Sequence, residues 1–258
     1  MYPLVPVPYY NWSSVGGEVR AQEKLYKTAA NRSSKMVAEA GPGNGLFWIG
    51  TTAMLLGTLA YLWIGRNVAV YEQNFFVMAI SITAIAATAY LAMALGMGRI
   101  VVGGEEVLVA RYIDWLLTTP LIIALLGLLA NANRSLIATL VGVDIYMISA
   151  ATLGTLSSSL FVSLVWLGVG TVAYLIFLYL LLGALSDAAD DMPDDVSGIY
   201  TKLRNLTVVL WSVYPVVWLL GGNTLGILPP VAEEVSFVVL DVLSKVVFGF
   251  ILLNSHET

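Results

Sequence analysis

Five charged residues stand inside long apolar stretches of this 258-residue chain: Arg111, Asp114, Asp144, Asp241 and Lys245. A charge within an apolar span is costly, so it faces another charge or a cavity and works there. Asp241 and Lys245 are four residues apart, and Arg111, Asp114 and Thr118 follow at intervals of three and four. Each set therefore shares one helical face. Together they can form an interior cluster of two cations and two anions that nearly neutralises itself. A buried lysine has two readings. One is a structural ion pair with Asp241. The other is a Schiff-base lysine, because burial favours the neutral, nucleophilic amine.

The aromatic pattern bears on that choice. Trp211, Tyr214 and Trp218 fall at i, i+3 and i+7, with Pro215 beside them, and Trp115 adjoins Asp114. Such side chains often only fill a core. Here they concentrate in the segments that carry the charges, which suits the walls of a flat, rigid, apolar ligand.

The elements that must position these residues are membrane spans. The chain is 59% hydrophobic and 11% charged, with a mean hydropathy of +0.84. A water-soluble domain typically carries about 25% charged residues, so too little polar surface remains to cover a globule. A spanning helix needs roughly 20 apolar residues. Seven such stretches are expected near 46–64, 74–98, 107–127, 135–156, 158–183, 200–221 and 232–253. Turn and cap residues separate them, among them Gly65-Arg66-Asn67, Gly103-Gly104, Asn131 to Arg134, Ser157-Ser158 and the acidic run from Asp187 to Asp195. The fold class is all-α, a seven-transmembrane-helix bundle over residues 46–255. Residues 1–45 are a polar N-terminal extension without a spanning run, in which Glu18 to Lys35 could lie on the bilayer as an amphipathic helix. No signal peptide is visible.

Arg66, Arg134, Lys202 and Arg204 collect at one end of these spans and Arg99 at the other. The positive-inside rule then puts the N-terminus outside and the C-terminus in the cytoplasm of the cell membrane. The chain has no cysteine, and its one histidine, His256, is near the C-terminus. Disulfides, thiolate chemistry and a histidine-based metal site in the bilayer are excluded. No basic stripe points to nucleic acid.

At these residues the chain resembles the microbial rhodopsins, and among them the haloarchaeal members. The run Arg111-Tyr112-Ile113-Asp114-Trp115-Leu116-Leu117-Thr118-Thr119-Pro120 is similar to their third-helix signature. Leu240-Asp241-Val242-Leu243-Ser244-Lys245 is similar to the retinal-lysine signature, and Leu203 to Thr207 with Trp211, Tyr214-Pro215 and Trp218 to the sixth helix. The resemblance implies a retinal-binding light receptor rather than an enzyme, with all-trans retinal joined covalently to Lys245. It makes Asp114 the counterion and proton acceptor, Asp241 the second counterion, and Arg111 the link from both to the outer side. It assigns the retinal pocket to Tyr90, Trp115, Thr118, Thr119, Met147, Trp211, Tyr214, Pro215, Trp218 and Ser244. Asp144 is implied to be structural, beside Thr119. Glu233 is the candidate for proton release.

The same resemblance separates sensor from pump. Proton pumps of this family carry a second carboxylate three turns beyond the acceptor, where this chain has Leu125. Asn223 stands where the partner of Glu233 is expected, and Ser244 precedes the lysine where pumps usually have alanine. These features resemble sensory rhodopsin II and the middle rhodopsins. They imply a photosensor with a slow proton-transfer photocycle; the alternative is a light-driven outward proton pump of low turnover. The implied partners are retinal, membrane lipids, a transducer protein and, in a homo-oligomer, further copies of the chain. Val239 departs from the tyrosine that sensory members turn toward their transducer.

Overall fold

A computed structural model describes residues 43–66, 73–222 and 224–254. Apart from Gly43 to Gly45, the expected N-terminal extension and its surface helix lie outside the described residues, as do Asn223 and His256. Seven helices among the described residues are long and apolar enough to cross a membrane. They are Gly43–Gly65, Gln73–Ala94, Val109–Leu129, Arg134–Thr155, Leu160–Leu182, Asp194–Leu220 and a seventh span that begins at Pro230 and ends at Asn254. Backbone polar groups in hydrocarbon must be paired within the segment, which is why such sequences cross as helices. Helix ends follow local chemistry. The side chain of Asn133 caps the fourth span by accepting from Leu136 N at 2.9 Å. Pro230 opens the seventh at a position where its missing N–H costs nothing.

Three boundaries differ from the sequence expectation. The second span ends at Ala94 rather than 98, and the chain turns back as an antiparallel hairpin of β1 (Arg99–Val102) and β2 (Glu105–Leu108). Gly98, Gly103 and Gly104 adopt positive φ there, a conformation glycine reaches without steric cost. The acidic run is largely helical. Ala184–Asp190 forms a short helix, and the sixth span begins six residues early at Asp194. Asp194 and Asp195 in that first turn complement the positive end of the helix dipole.

The seventh span is not uniform. It runs as α-helix over Pro230–Asp241, as π-helix over Val242–Val247 and as α-helix again over Phe248–Asn254. The wider turn falls on Ser244 and Lys245, and such turns mark functional positions in helices. The third span is the most interior, with 61% of its residues buried, against 17% for the fifth. The fifth span instead shows Phe161, Leu175 and Tyr179 on its outer surface.

Candidate functional site

Lys245 ends inside the bundle, 2% exposed. Its Nζ donates to Asp114 Oδ2 at 2.5 Å and lies 3.2 Å from Asp241 Oδ1. Two carboxylates thus flank one cation, all three buried, and the geometry realises the face-sharing expected from spacing. Asp241 accepts further bonds from Tyr90 at 2.7 Å, Tyr214 at 2.7 Å and the Trp115 indole at 3.1 Å. With so many donors it is held in one orientation. Asp114 has fewer partners. Thr118 donates to its backbone carbonyl at 2.8 Å and reaches its Oδ1 at 3.4 Å. The less tightly held carboxylate is therefore the one in short contact with Nζ. Ser244 sits beside the cluster, 3.3 Å from the Tyr214 hydroxyl.

Next to Nζ lies a cavity with almost wholly apolar walls. Trp115, Thr119, Met147, Trp211, Tyr214, Pro215, Trp218, Ser244 and Lys245 line it, together with Asp241. Tyr90 and Thr118 do not line it. They act on the carboxylates instead, Tyr90 on Asp241 and Thr118 on Asp114. The far wall was not foreseen: it includes Trp166, Gly170 and Tyr174 of the fifth span. Their spacing of four and four, one face of a helix, was the signal available. Trp218 is pinned in place. Its indole donates to Thr155 Oγ1 at 2.7 Å and to the Tyr112 hydroxyl at 3.2 Å, and those two oxygens lie 2.6 Å apart. Trp115 meets Tyr214 edge-on at 5.2 Å. Asp144, fully buried, accepts from Thr119 at 2.7 Å, so it supports the cavity wall rather than the lysine.

Arg111 pairs with a carboxylate that the sequence did not single out. The ion pair it forms is with Glu234, through both guanidinium Nη atoms, while Phe237 offers its ring face at 4.5 Å. Glu233 takes a different partner, accepting from Gly222 N at 2.9 Å. Glu234 was missed in the sequence. Glu234, Phe237, Asp241 and Lys245 recur at intervals of three, four and four, so they share a face, and that phase could have found it.

The cavity suits an apolar molecule that joins the Lys245 amine at one end. Its charged groups, Asp241 and Lys245, lie at one place, and the remaining walls are mostly aromatic and aliphatic, with Thr119 and Thr171 among them. These features fit retinal, which needs a dry, rigid sleeve and an anionic partner for its attachment nitrogen. Comparison with known proteins agrees. A family model described as bacteriorhodopsin-like protein matches residues 43–258. A bacteriorhodopsin of Haloterrigena sp. (strain arg-4) is 46% identical over 86% of this chain and 91% of its own length. Sensory rhodopsin-2 of Natronomonas pharaonis is 39% identical over 83% of this chain and 89% of its own. The thermophilic rhodopsin of Rubrobacter xylanophilus superposes with a TM-score of 0.81 at 39% identity, covering 83% of this chain and 96% of that one. The chain therefore belongs to the bacteriorhodopsin-like family of multi-pass membrane proteins, light-driven and with retinal held on Lys245.

Proposed function

We propose that this protein is a photosensor with a slow photocycle, in which Asp114 is the proton acceptor. Retinal, when bound, supplies the absorption of visible light and an isomerisation that reorients the Lys245 nitrogen. Asp114 Oδ2, 2.5 Å from Nζ, receives the proton. Asp241, fixed by Tyr90, Tyr214 and Trp115, stays anionic and balances the charge. Arg111 and Glu234 close the outer side, and Glu233 beside them remains the candidate for release. The N-terminus is outside and the Asn254 end of the bundle is cytoplasmic, as Arg66, Arg134, Lys202 and Arg204 favour.

The observation that carries the sensor reading is Leu125. It is 1% exposed and packed in the main apolar cluster, in the cytoplasmic half of the third span. Among the described residues the buried carboxylates are Asp114, Asp144 and Asp241, and each is already engaged near the cavity. Proton return to Nζ then draws on bulk water through an apolar barrier. A long-lived signalling state suits a sensor, whereas a pump's current scales with its cycle rate. The signal passes to a transducer protein or by another route, since Val239 stands where sensory members present a tyrosine to their transducer.

The second reading, an outward proton pump of low turnover, is favoured by the acceptor Asp114 and by the likeness to bacteriorhodopsins. Flash photolysis with simultaneous recording of external pH separates the two. The sensor reading expects slow proton return that slows further as pH rises and is accelerated by azide, a small proton carrier. Fast, pH-independent return with sustained acidification of the medium would make the pump primary.

A further inference from the structure

The first span contributes a buried hydroxyl to the turn that carries the retinal lysine. Tyr61, near the Gly65 end of that span, has no exposed surface. Its hydroxyl donates to the carbonyl of Val246 and lies 3.5 Å from the carbonyl of Lys245. Both carbonyls belong to the π-helical turn Val242–Val247. A π turn disturbs the regular i to i+4 pairing, so a carbonyl there gains from an outside donor. The fit is close on either side. The Tyr61 ring meets Phe250 edge-on at 5.0 Å. A Cβ on Gly249 would strike the Tyr61 hydroxyl and lie 2.7 Å from its Cζ, and one on Gly57 would lie 3.1 Å from Val246.

We propose that Tyr61 is a positioning residue for the retinal lysine: its hydroxyl occupies the carbonyls of the π turn and keeps water out of the cytoplasmic side of Lys245. A phenol in apolar surroundings needs a partner, and so do the carbonyls it covers. Removing the hydroxyl leaves buried acceptors beside the attachment residue, and water is the group able to satisfy them. In a protein without a carboxylate at Leu125, entering water would supply the missing route for proton return. The inference rests on the slow-return reading for its kinetic consequence but not for its structural one.

The test uses the full-length, membrane-embedded protein with Tyr61→Phe, which keeps the ring, and Gly249→Ala, which displaces the hydroxyl while keeping it. Hydrogen–deuterium exchange of the peptide spanning 242–254 is measured with and without retinal. Hydroxylamine bleaching in the dark and the rate of proton return to Lys245 are measured in the retinal-loaded form. Both variants should exchange and bleach several-fold faster than the wild type, and proton return should accelerate several-fold with less response to azide. Unchanged exchange and bleaching in both variants would overturn the proposal. So would failure of both to take up retinal, which would make Tyr61 a requirement of the fold instead. Fast, azide-insensitive return in the wild type would remove the slow-return reading alone, since the exchange result does not depend on it.

Discussion

Replacing Glu234 by glutamine takes the anion away from a guanidinium that is 5% exposed. Breaking a buried ion pair from one side costs about 3–5 kcal/mol, because the remaining charge is stranded. Three features reduce that figure here. The Glu234 side chain is 18% exposed, so water reaches the pair. The glutamine oxygen still accepts a hydrogen bond. Phe237 keeps its ring face 4.5 Å from the guanidinium, a contact of about 0.5–2 kcal/mol that survives the change. A net loss of about 2–3 kcal/mol remains, which for a chain of this size corresponds to a fall of roughly 5–10 °C in melting temperature. Glu233→Gln is the comparison. It weakens one bond to Gly222 N, worth about 1 kcal/mol. The assay is thermal loss of visible absorption in the retinal-loaded protein, for the single variants Glu233→Gln, Glu234→Gln and Arg111→Gln and for the double variant Arg111→Gln with Glu234→Gln. The double variant should be less destabilised than the sum of its parts by about 2 kcal/mol, as expected for residues in direct contact. Equal losses at Glu233 and Glu234, or additive effects of the Arg111 and Glu234 changes, would refute the pairing.

Lys245→Ala should abolish visible absorption, read directly from the spectrum after retinal is added; added alkylamine should restore part of it. Asp114→Asn removes the negative charge 2.5 Å from Nζ and should shift the absorption to the red and stop light-driven proton transfer; an unchanged spectrum would make Asp241 the principal counterion. Leu125→Asp should speed proton return at least tenfold, about 1.4 kcal/mol in the barrier, and flatten its pH dependence in flash photolysis. Thr155→Val removes the oxygen shared by Trp218 and Tyr112, and should broaden and shift the absorption band by loosening that wall, which spectra of the variant will show.

The cluster around the lysine could be read from sequence because helical phase alone brings its members together. Asp241 and Lys245 repeat every four residues, and Arg111, Asp114 and Thr118 at three and four, so burial of one face determines the rest. What phase does not give is choice among adjacent residues. Glu233 and Glu234 are neighbours in sequence, and Arg111 takes Glu234 because that one lies in line with Phe237 and Asp241. Distant contributions were hidden for a related reason. Trp166, Gly170 and Tyr174 read as an ordinary apolar helix until the fifth span is seen against the sixth. The hairpin after the second span was not legible because its two strands of four residues are too short to show an alternating pattern, though the glycines at its turn were a signal. The Tyr61 contact could not be anticipated, since it depends on a π turn that hydrophobic periodicity does not reveal.

The uneven burial of the spans divides the labour of adaptation. The residues that touch Nζ come from the third and seventh spans, the two most enclosed, so a substitution there meets many neighbours and alters chemistry. Most of the fifth span faces outward, and only its inner face borders the cavity. A lineage moving to a bilayer of another thickness or composition can therefore rewrite Phe161, Leu175 or Tyr179 while leaving colour and timing alone. The surface that meets the surroundings and the surface that meets the chromophore are thus carried largely by different spans of one molecule.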